Sequence, residues 1–364
     1  MRIETPVFFD PHVHLREGIK MFGAIAQTSL FCGRVCAMLN LEKPLDEAGI
    51  RGYLWETGRH LASLERKMTV MPVPMLGDET TPEQIAAWAT CGAVSAKYMP
   101  SGATTNSHHG VTNPESLAES GVLEKMSDLG LVLQVHCEMP PGPDGSTIDW
   151  ALGAEQEFIE TFCNLAASYP RLKMVFEHIS TREALKAIEP FANVAATITP
   201  HHLTMTTDDV LDLTYKWIAN PHNWCRPIAK SEEDRQALIE TACSNNPRIF
   251  FGSDYAPHSA QDKRRTPPPA GCASYPAGPY VLARLAIERD LGAQWLANFT
   301  SRRAMDFFGI SSNQQETLIL SDRETLTVMG SRASGAVEDD DVEPWLKGEA
   351  FDFAWRRFSL QTIG

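Results

Sequence analysis

The 364-residue chain predicts an α/β protein of the (β/α)8 TIM-barrel class. Three observations carry that reading. Short apolar, β-rich runs alternate with helical patterns eight times. The runs are near-continuously apolar, as parallel strands covered on both faces require. Histidines, a lysine and an aspartate stand at or near the ends of several runs, where barrel enzymes build their sites. The length suits one catalytic barrel with insertions.

In order, the runs are residues 6–10, 34–40, 69–76, 93–98, 131–136, 173–178, 194–199 and 249–254. Their number and their alternation with helices favour a closed barrel over an open sheet. Thr81-Pro82-Glu83-Gln84 supplies an N-cap, a proline at the first helical position and a capping-box partner. Asn113-Pro114 opens a helix that runs to Leu129-Gly130. Ser180-Thr181-Arg182-Glu183 repeats the box directly after His178, and Ser231 precedes the acids Glu232-Glu233-Asp234, suited to a helix N-terminus. Residues 140–149 and 258–278, rich in proline and glycine, read as loops after the fifth and eighth strands, on the substrate side. Residues 1–317 are expected to form the barrel, and residues 318–364, with the acidic run 338–341, a C-terminal surface extension packed on it.

The net charge of −14 argues against nucleic acid and anionic membranes as partners. It leaves an anionic small-molecule substrate open, because bound cations reverse the field inside one pocket. The eight cysteines, Cys32, Cys36, Cys91, Cys137, Cys163, Cys225, Cys243 and Cys272, include no CxxC pair and sit mostly in apolar runs. They read as buried thiols of a reducing compartment. With no signal-like start and no apolar stretch of membrane-spanning length, a cytoplasmic location is expected.

His12 and His14 lie two apart on one extended segment, so alternation turns both toward the barrel mouth. His136 and His178 each end a buried run. One such histidine is ordinarily a packed core residue; two at matched stations beside an HxH point to metal ligation. Lys97 ends an apolar run, where an ammonium is costly. Beside two cations its amine is neutral and open to carbon dioxide, giving a carbamate that serves as an anionic oxygen ligand. Taken alone, the lysine reads as a partner for phosphate or carboxylate. Asp254, in Phe250-Phe251-Gly252-Ser253-Asp254, reads either as a helix cap or as a ligand that takes a proton from the attacking oxygen and gives it to a leaving nitrogen. Together these residues point to a metal-dependent hydrolase.

The chain resembles the dihydroorotases of the amidohydrolase superfamily, of the shorter class II type, over about residues 6–310. The strings that carry the resemblance are Asp10-Pro11-His12-Val13-His14-Leu15-Arg16-Glu17-Gly18, Ala103-Thr104-Thr105-Asn106-Ser107 through His109-Gly110-Val111-Thr112, and Val175-Phe176-Glu177-His178-Ile179-Ser180-Thr181. Gly252-Ser253-Asp254-Tyr255-Ala256-Pro257-His258, Ala270-Gly271-Cys272 and Asn298-Phe299-Thr300-Ser301 complete the set. The resemblance implies two Zn2+ per chain. His12, His14, Lys97 and Asp254 would hold one; carbamylated Lys97, His136 and His178 the other. It makes Arg16, Asn40 and His258 the grip on a substrate carboxylate, and the backbone around Arg226 and Ala270 the contact with a dihydropyrimidine ring. Thr104 and Thr105 match a loop that closes over substrate. The implied reaction is the reversible cyclisation of N-carbamoyl-L-aspartate to L-dihydroorotate, a step of pyrimidine synthesis, by a homodimer. The chain departs from the family pattern in the Arg264-Arg265-Thr266-Pro267-Pro268-Pro269 loop, in Ala273-Ser274-Tyr275, and at Arg226, where an apolar ring contact is common. Two other readings are a hydantoinase- or dihydropyrimidinase-like cyclic amidase, for which a cation at Arg16 has no use, and a non-catalytic assembly partner, which needs no metal ligands.

Overall fold

A computed structural model describes residues 2–142, 147–311, 316–321, 326–327, 342, 346–347, 350–351 and 354–359. Part of the expected 140–149 loop and the acidic run 338–341 lie outside them.

Eight parallel strands form the barrel. One arc is β2 (Phe8–Val13), β3 (Cys32–Met38) and β4 (Thr69–Val73). The other is β5 (Ser95–Tyr98), β6 (Val132–Val135), β7 (Met174–Phe176), β8 (Val194–Ile198) and β11 (Ile249–Phe251), all paired in parallel. The arcs join at two seams. At one, Lys97 N donates to the Pro74 carbonyl and Leu76 N to the Lys97 carbonyl, both at 2.8 Å. At the other, Val13 bridges Tyr255 in parallel, and His14 N donates to the Tyr255 carbonyl at 2.8 Å. Each strand overlaps an expected run. The first begins two residues later and runs through His12, because Asp10 and Pro11 continue the extended backbone. The barrel interior is filled, not hollow: Phe9, Cys36, Met71, Val132, Val175, Ala195 and Phe250 form one buried cluster with Phe308 of the helix Arg303–Phe308.

The helices start where the chain supplies caps. α3 (Pro82–Thr90) carries the full Thr81–Gln84 capping box, and α8 (Glu232–Cys243) the Ser231–Asp234 box. α7 (Arg182–Ile188) is capped by Thr181 instead of Ser180. Ser180 is diverted: its N and Oγ both donate to buried Glu155 of α6 (Ile148–Ser168), at 2.9 and 2.8 Å. The helix expected over 113–129 is two, α4 (Pro114–Glu119) and α5 (Val122–Leu129). Gly121 separates them at φ 76°, a left-handed conformation that interrupts the helix and favours glycine.

β1 (Arg2–Pro6) pairs antiparallel with β12 (Glu316–Ser321), which pairs with β15 (Ala354–Ser359). β12 thus crosses residues 317 and 318, where the sequence places the start of the extension. Trp355 packs against barrel Phe8 with ring centroids 6.4 Å apart. The expected loop 258–278 contains a short helix, α9 (Ala260–Lys263). All eight cysteines are free thiols, six of them buried. Among the described residues, no helix is long and apolar enough to cross a membrane.

Candidate metal centre and active site

The C-terminal ends of the strands bring His12, His14, Lys97, His136, His178 and Asp254 to one mouth, each buried. Donor atoms of His12, His14 and Asp254 lie within 4.8 Å of one another. His14 Nε2 is 3.2 Å and His12 Nε2 3.5 Å from Asp254 Oδ1. Across the mouth, His136 Nδ1 faces His178 Nε2 at 3.2 Å. The His12 and His178 rings, 5.1 Å apart, join the two halves. His178 and Asp254 both adopt φ 41°, and Arg16 φ 63°, a region non-glycine residues enter at a cost and one that clusters at functional sites.

Carboxylates behind the histidines fix their tautomers. Glu177 Oε2 stands 2.7 Å from His12 Nδ1, so Nδ1–H donates to it and Nε2 keeps its lone pair. Gln134 and Thr197 hold Glu177 at 2.6 Å each. Glu138 Oε2 stands 2.9 Å from His136 Nε2, which leaves the Nδ1 lone pair aimed at His178. Asp10 accepts from the backbone N of His12 and Ser253 and from the Tyr275 hydroxyl, tying β2 to β11. Burial pushes its carboxyl up to about 6. The sequence reading assigned no role to Glu138, Glu177 or Asp10. Its usable signal was position: acids within two residues of His136, His178 and His12, inside apolar runs where an unpartnered carboxylate is costly.

The donor set fits divalent cations. Burial lowers the His14 imidazole to about 4, and burial also holds His136 and His178 below the ordinary range, so these rings are neutral and offer lone pairs. Burial raises the Asp254 carboxyl, but the His14 hydrogen bond and the neighbouring His12 and His14 imidazoles outweigh it and hold the group below the ordinary range. A lone pair on His12 Nε2 facing a carboxylate oxygen at 3.5 Å is repulsive until a cation lies between them. Lys97 Nζ, His14 Nδ1 and His178 Nδ1 are buried without a hydrogen-bond partner. Burial pulls the Lys97 ammonium down, toward the neutral amine whose lone pair can attack carbon dioxide.

A small cavity of about 30 Å³ opens onto this centre. Arg16, Asn40, Thr104, Thr105, Arg226 and Ala270 line it beside His12, His14, His136, His178 and Asp254. Asn40 Nδ2 donates to the Thr105 carbonyl at 3.3 Å. Lys97 and His258 are not among the lining residues. His258 sits behind Arg16, its Nε2 3.1 Å from the Arg16 guanidinium and 2.9 Å from the Ala270 carbonyl. Burial lowers Arg16 to about 10, still a cation at neutral pH. Arg226 is engaged too: its guanidinium pairs with Glu138 at 2.8 Å and lies 3.7 Å from the Trp150 ring centroid. Gly271 closes one wall at φ 141°; a Cβ there would stand 2.6 Å from the Ala256 carbonyl oxygen.

No protein-family model matches the chain. A probable dihydroorotase of Schizosaccharomyces pombe is 34% identical over 350 residues, covering 95% of this chain and 98% of its own. A dihydroorotase of Aromatoleum aromaticum is 36% identical, covering 95% and 96%. The crystal structure of Saccharomyces cerevisiae dihydroorotase with 5-fluoroorotic acid superposes with a TM-score of 0.83 at 27% identity, over 98% of both chains. Relatives this similar along nearly the whole length, on the same barrel, place the chain in the dihydroorotase family of cyclic amide hydrolases.

Proposed function

We propose that the chain interconverts N-carbamoyl-L-aspartate and L-dihydroorotate at a centre formed by His12, His14, Lys97, His136, His178 and Asp254. The observation that carries this is the convergence of four neutral-capable imidazoles and one ionised carboxylate around a partnerless lysine amine. His12, His14 and Asp254 would hold one Zn2+, His136 and His178 a second, with a carbamate on Lys97 shared by both. Bound there, the ions would acidify a water and polarise the scissile carbonyl.

The remaining chemistry belongs to side chains. Asp254 starts ionised, accepts the proton of the attacking water, and returns it to the ring nitrogen as the amide opens. In the cyclising direction it takes the proton from the ureido nitrogen and gives it to the departing hydroxyl. Glu177 and Glu138 hold His12 and His136 in the required tautomers throughout. Arg16 meets the substrate carboxylate with a planar fork, backed by His258. The yeast relative's structure holds 5-fluoroorotic acid, a pyrimidine carboxylate, which agrees with that role.

The cavity holds a water or two, not a ring. Substrate entry therefore displaces the loop bearing Thr104 and Thr105. Breaking the Asn40–Thr105 contact frees the Asn40 amide for the same carboxylate. On closing again, Thr104 and Thr105 cover the ring and exclude water. A soluble homodimer acting on a small anionic metabolite in the cytoplasm completes the proposal.

The test is turnover of both compounds by the zinc-loaded protein in the presence of bicarbonate. Activity in both directions is expected, and its absence in both overturns the proposal. Turnover of uncharged cyclic amides that survives Arg16→Ala would favour the neutral-ring reading.

A further inference from the structure

Three buried side chains that catalysis does not use meet behind the wall formed by Arg226 and Gly271. They are His201, Cys225 and Cys272, each fully buried. One donor atom from each lies within 4.8 Å of the other two. They come from distant points: the turn after β8, the loop before α8, and the loop between α9 and α10 (Ala277–Glu288). Cys225 directly precedes Arg226, and Cys272 directly follows Gly271. The Cys272 backbone is fixed to the barrel rim, its carbonyl accepting from Ala256 N at 2.9 Å.

Where they stand, Cys225 meets the Cys272 thiol and the His201 and His202 rings, and each thiol also reaches a backbone carbonyl. Cys225 Sγ reaches the Pro227 carbonyl at 3.2 Å and Cys272 Sγ the His222 carbonyl at 3.6 Å, both poor hydrogen bonds. The neighbouring His202 differs: its two ring nitrogens contact Thr199 Oγ1 at 2.8 Å and the Pro227 carbonyl at 3.0 Å, so it serves the fold.

We propose that His201, Cys225 and Cys272 form a second metal site, separate from the catalytic centre, for a thiophilic divalent cation such as Zn2+. Binding replaces two S–H protons, which leave to solvent, with two sulfur–metal bonds and one nitrogen–metal bond. A dication with two thiolates and a neutral imidazole has no net charge, which is what a fully buried site requires. Sulfur and imidazole donors favour zinc over magnesium or calcium. A water completes the tetrahedron. The buried Lys263, whose Nζ donates to the carbonyls of Trp224 and Pro269 at 3.3 and 3.0 Å, places a positive charge that further favours the thiolates. The bound ion ties together the segments carrying Arg226 and Ala270, so it sets the wall against which the substrate ring would lie.

Cobalt(II) tests the site. The catalytic donors are nitrogen and oxygen only, so a thiolate-to-cobalt charge-transfer band in the near ultraviolet does not come from them, and its loss on substitution of Cys225 and Cys272 assigns it to this cluster. Metal-free protein titrated with cobalt is expected to develop that band. The band should be absent from Cys225→Ser/Cys272→Ser and weakened in Cys272→Ser alone, and the zinc content of the double variant should fall by one ion per chain. Wild-type protein that shows no band at saturating cobalt overturns the proposal without recourse to any variant. So does a band that survives in the double variant, or a thiol count showing Cys225 and Cys272 joined as a disulfide. Failure of the catalytic reading is distinguishable, since it would leave the band and abolish turnover.

Discussion

Glu138 touches no substrate in the proposed arrangement, yet it decides which nitrogen of His136 is free. Burial pushes its carboxyl up, but the Arg226 charge and the His136 hydrogen bond hold it down at about 2. Glu138→Gln leaves the tautomer of His136 unguarded, and metal affinity at the second position is expected to fall about 10- to 100-fold. Competition with a chelator measures this; an unchanged affinity refutes the role. Arg16 acts on the substrate instead. Losing a charge-assisted hydrogen bond costs about 1.5–3 kcal/mol, so Arg16→Ala should lower kcat/KM for dihydroorotate roughly 10- to 100-fold, with metal content unchanged. Arg16→Lys should not restore it, because an ammonium lacks the planar fork. Both kinds of residue end or flank strands; the histidines, Lys97, Asp254 and Arg16 stood out from their positions in the sequence, and Asn40, His258, Arg226, Ala270, Thr104 and Thr105 through the family resemblance. Glu138 and Glu177 did not, because a lone acid in an apolar run does not say which imidazole it will meet. Arg226 stood out as a departure from the family, but its pairing with Glu138 and stacking on Trp150 are long-range contacts that spacing does not encode.

At the scale of elements, the eight apolar runs announced the strands because parallel strands buried on both faces need no alternation. Their ends were less legible. The N-cap of α7 moved from Ser180 to Thr181 because Glu155, far away in sequence, captures Ser180. Glu155 is also a pH-sensitive joint between α6 and α7. Burial, partly offset by Lys230 and the Thr181 and Ser180 hydroxyls, raises its carboxyl from 4.5 to about 7. A carboxyl raised on folding contributes stability that is full below the unfolded value and is lost as pH climbs through the folded one. Between about pH 4.5 and 7 the loss is on the order of 3 kcal/mol. Urea midpoints should therefore fall across this window in wild-type protein and fall less in Glu155→Gln; parallel slopes would contradict the assignment. The Thr81 box of α3 is exposed and simple: Thr81→Ala should cost about 1 kcal/mol by denaturant unfolding.

The whole molecule is closed by its termini as well as by its barrel. β1, β12 and β15 form a sheet that ties residues 2–6 to 316–321 and 354–359, which no local pattern announced because β1 and β12 lie more than three hundred residues apart. Arg357 fastens that sheet, donating to the carbonyls of Cys32 at 3.0 Å and Lys67 at 2.6 Å and pairing with Glu316. Arg357→Ala removes several partly buried hydrogen bonds together and is expected to cost roughly 2 kcal/mol in unfolding free energy, with kcat unchanged in the folded enzyme. A loss of kcat without loss of stability would reveal coupling from this sheet to the mouth. On the opposite rim, the strand ends deliver six side chains to one place, and on that convergence the functional reading depends. Its most direct measurement is the metal content of the purified protein, by elemental analysis, taken together with turnover of L-dihydroorotate before and after chelation. Two divalent ions per chain that remain when Cys225 and Cys272 are both replaced by serine, with wild-type activity that vanishes on chelation and returns with zinc and bicarbonate, are the result expected. A folded protein that binds no metal at His12, His14, His136, His178 and Asp254, or that turns over dihydroorotate equally well without metal, would contradict it.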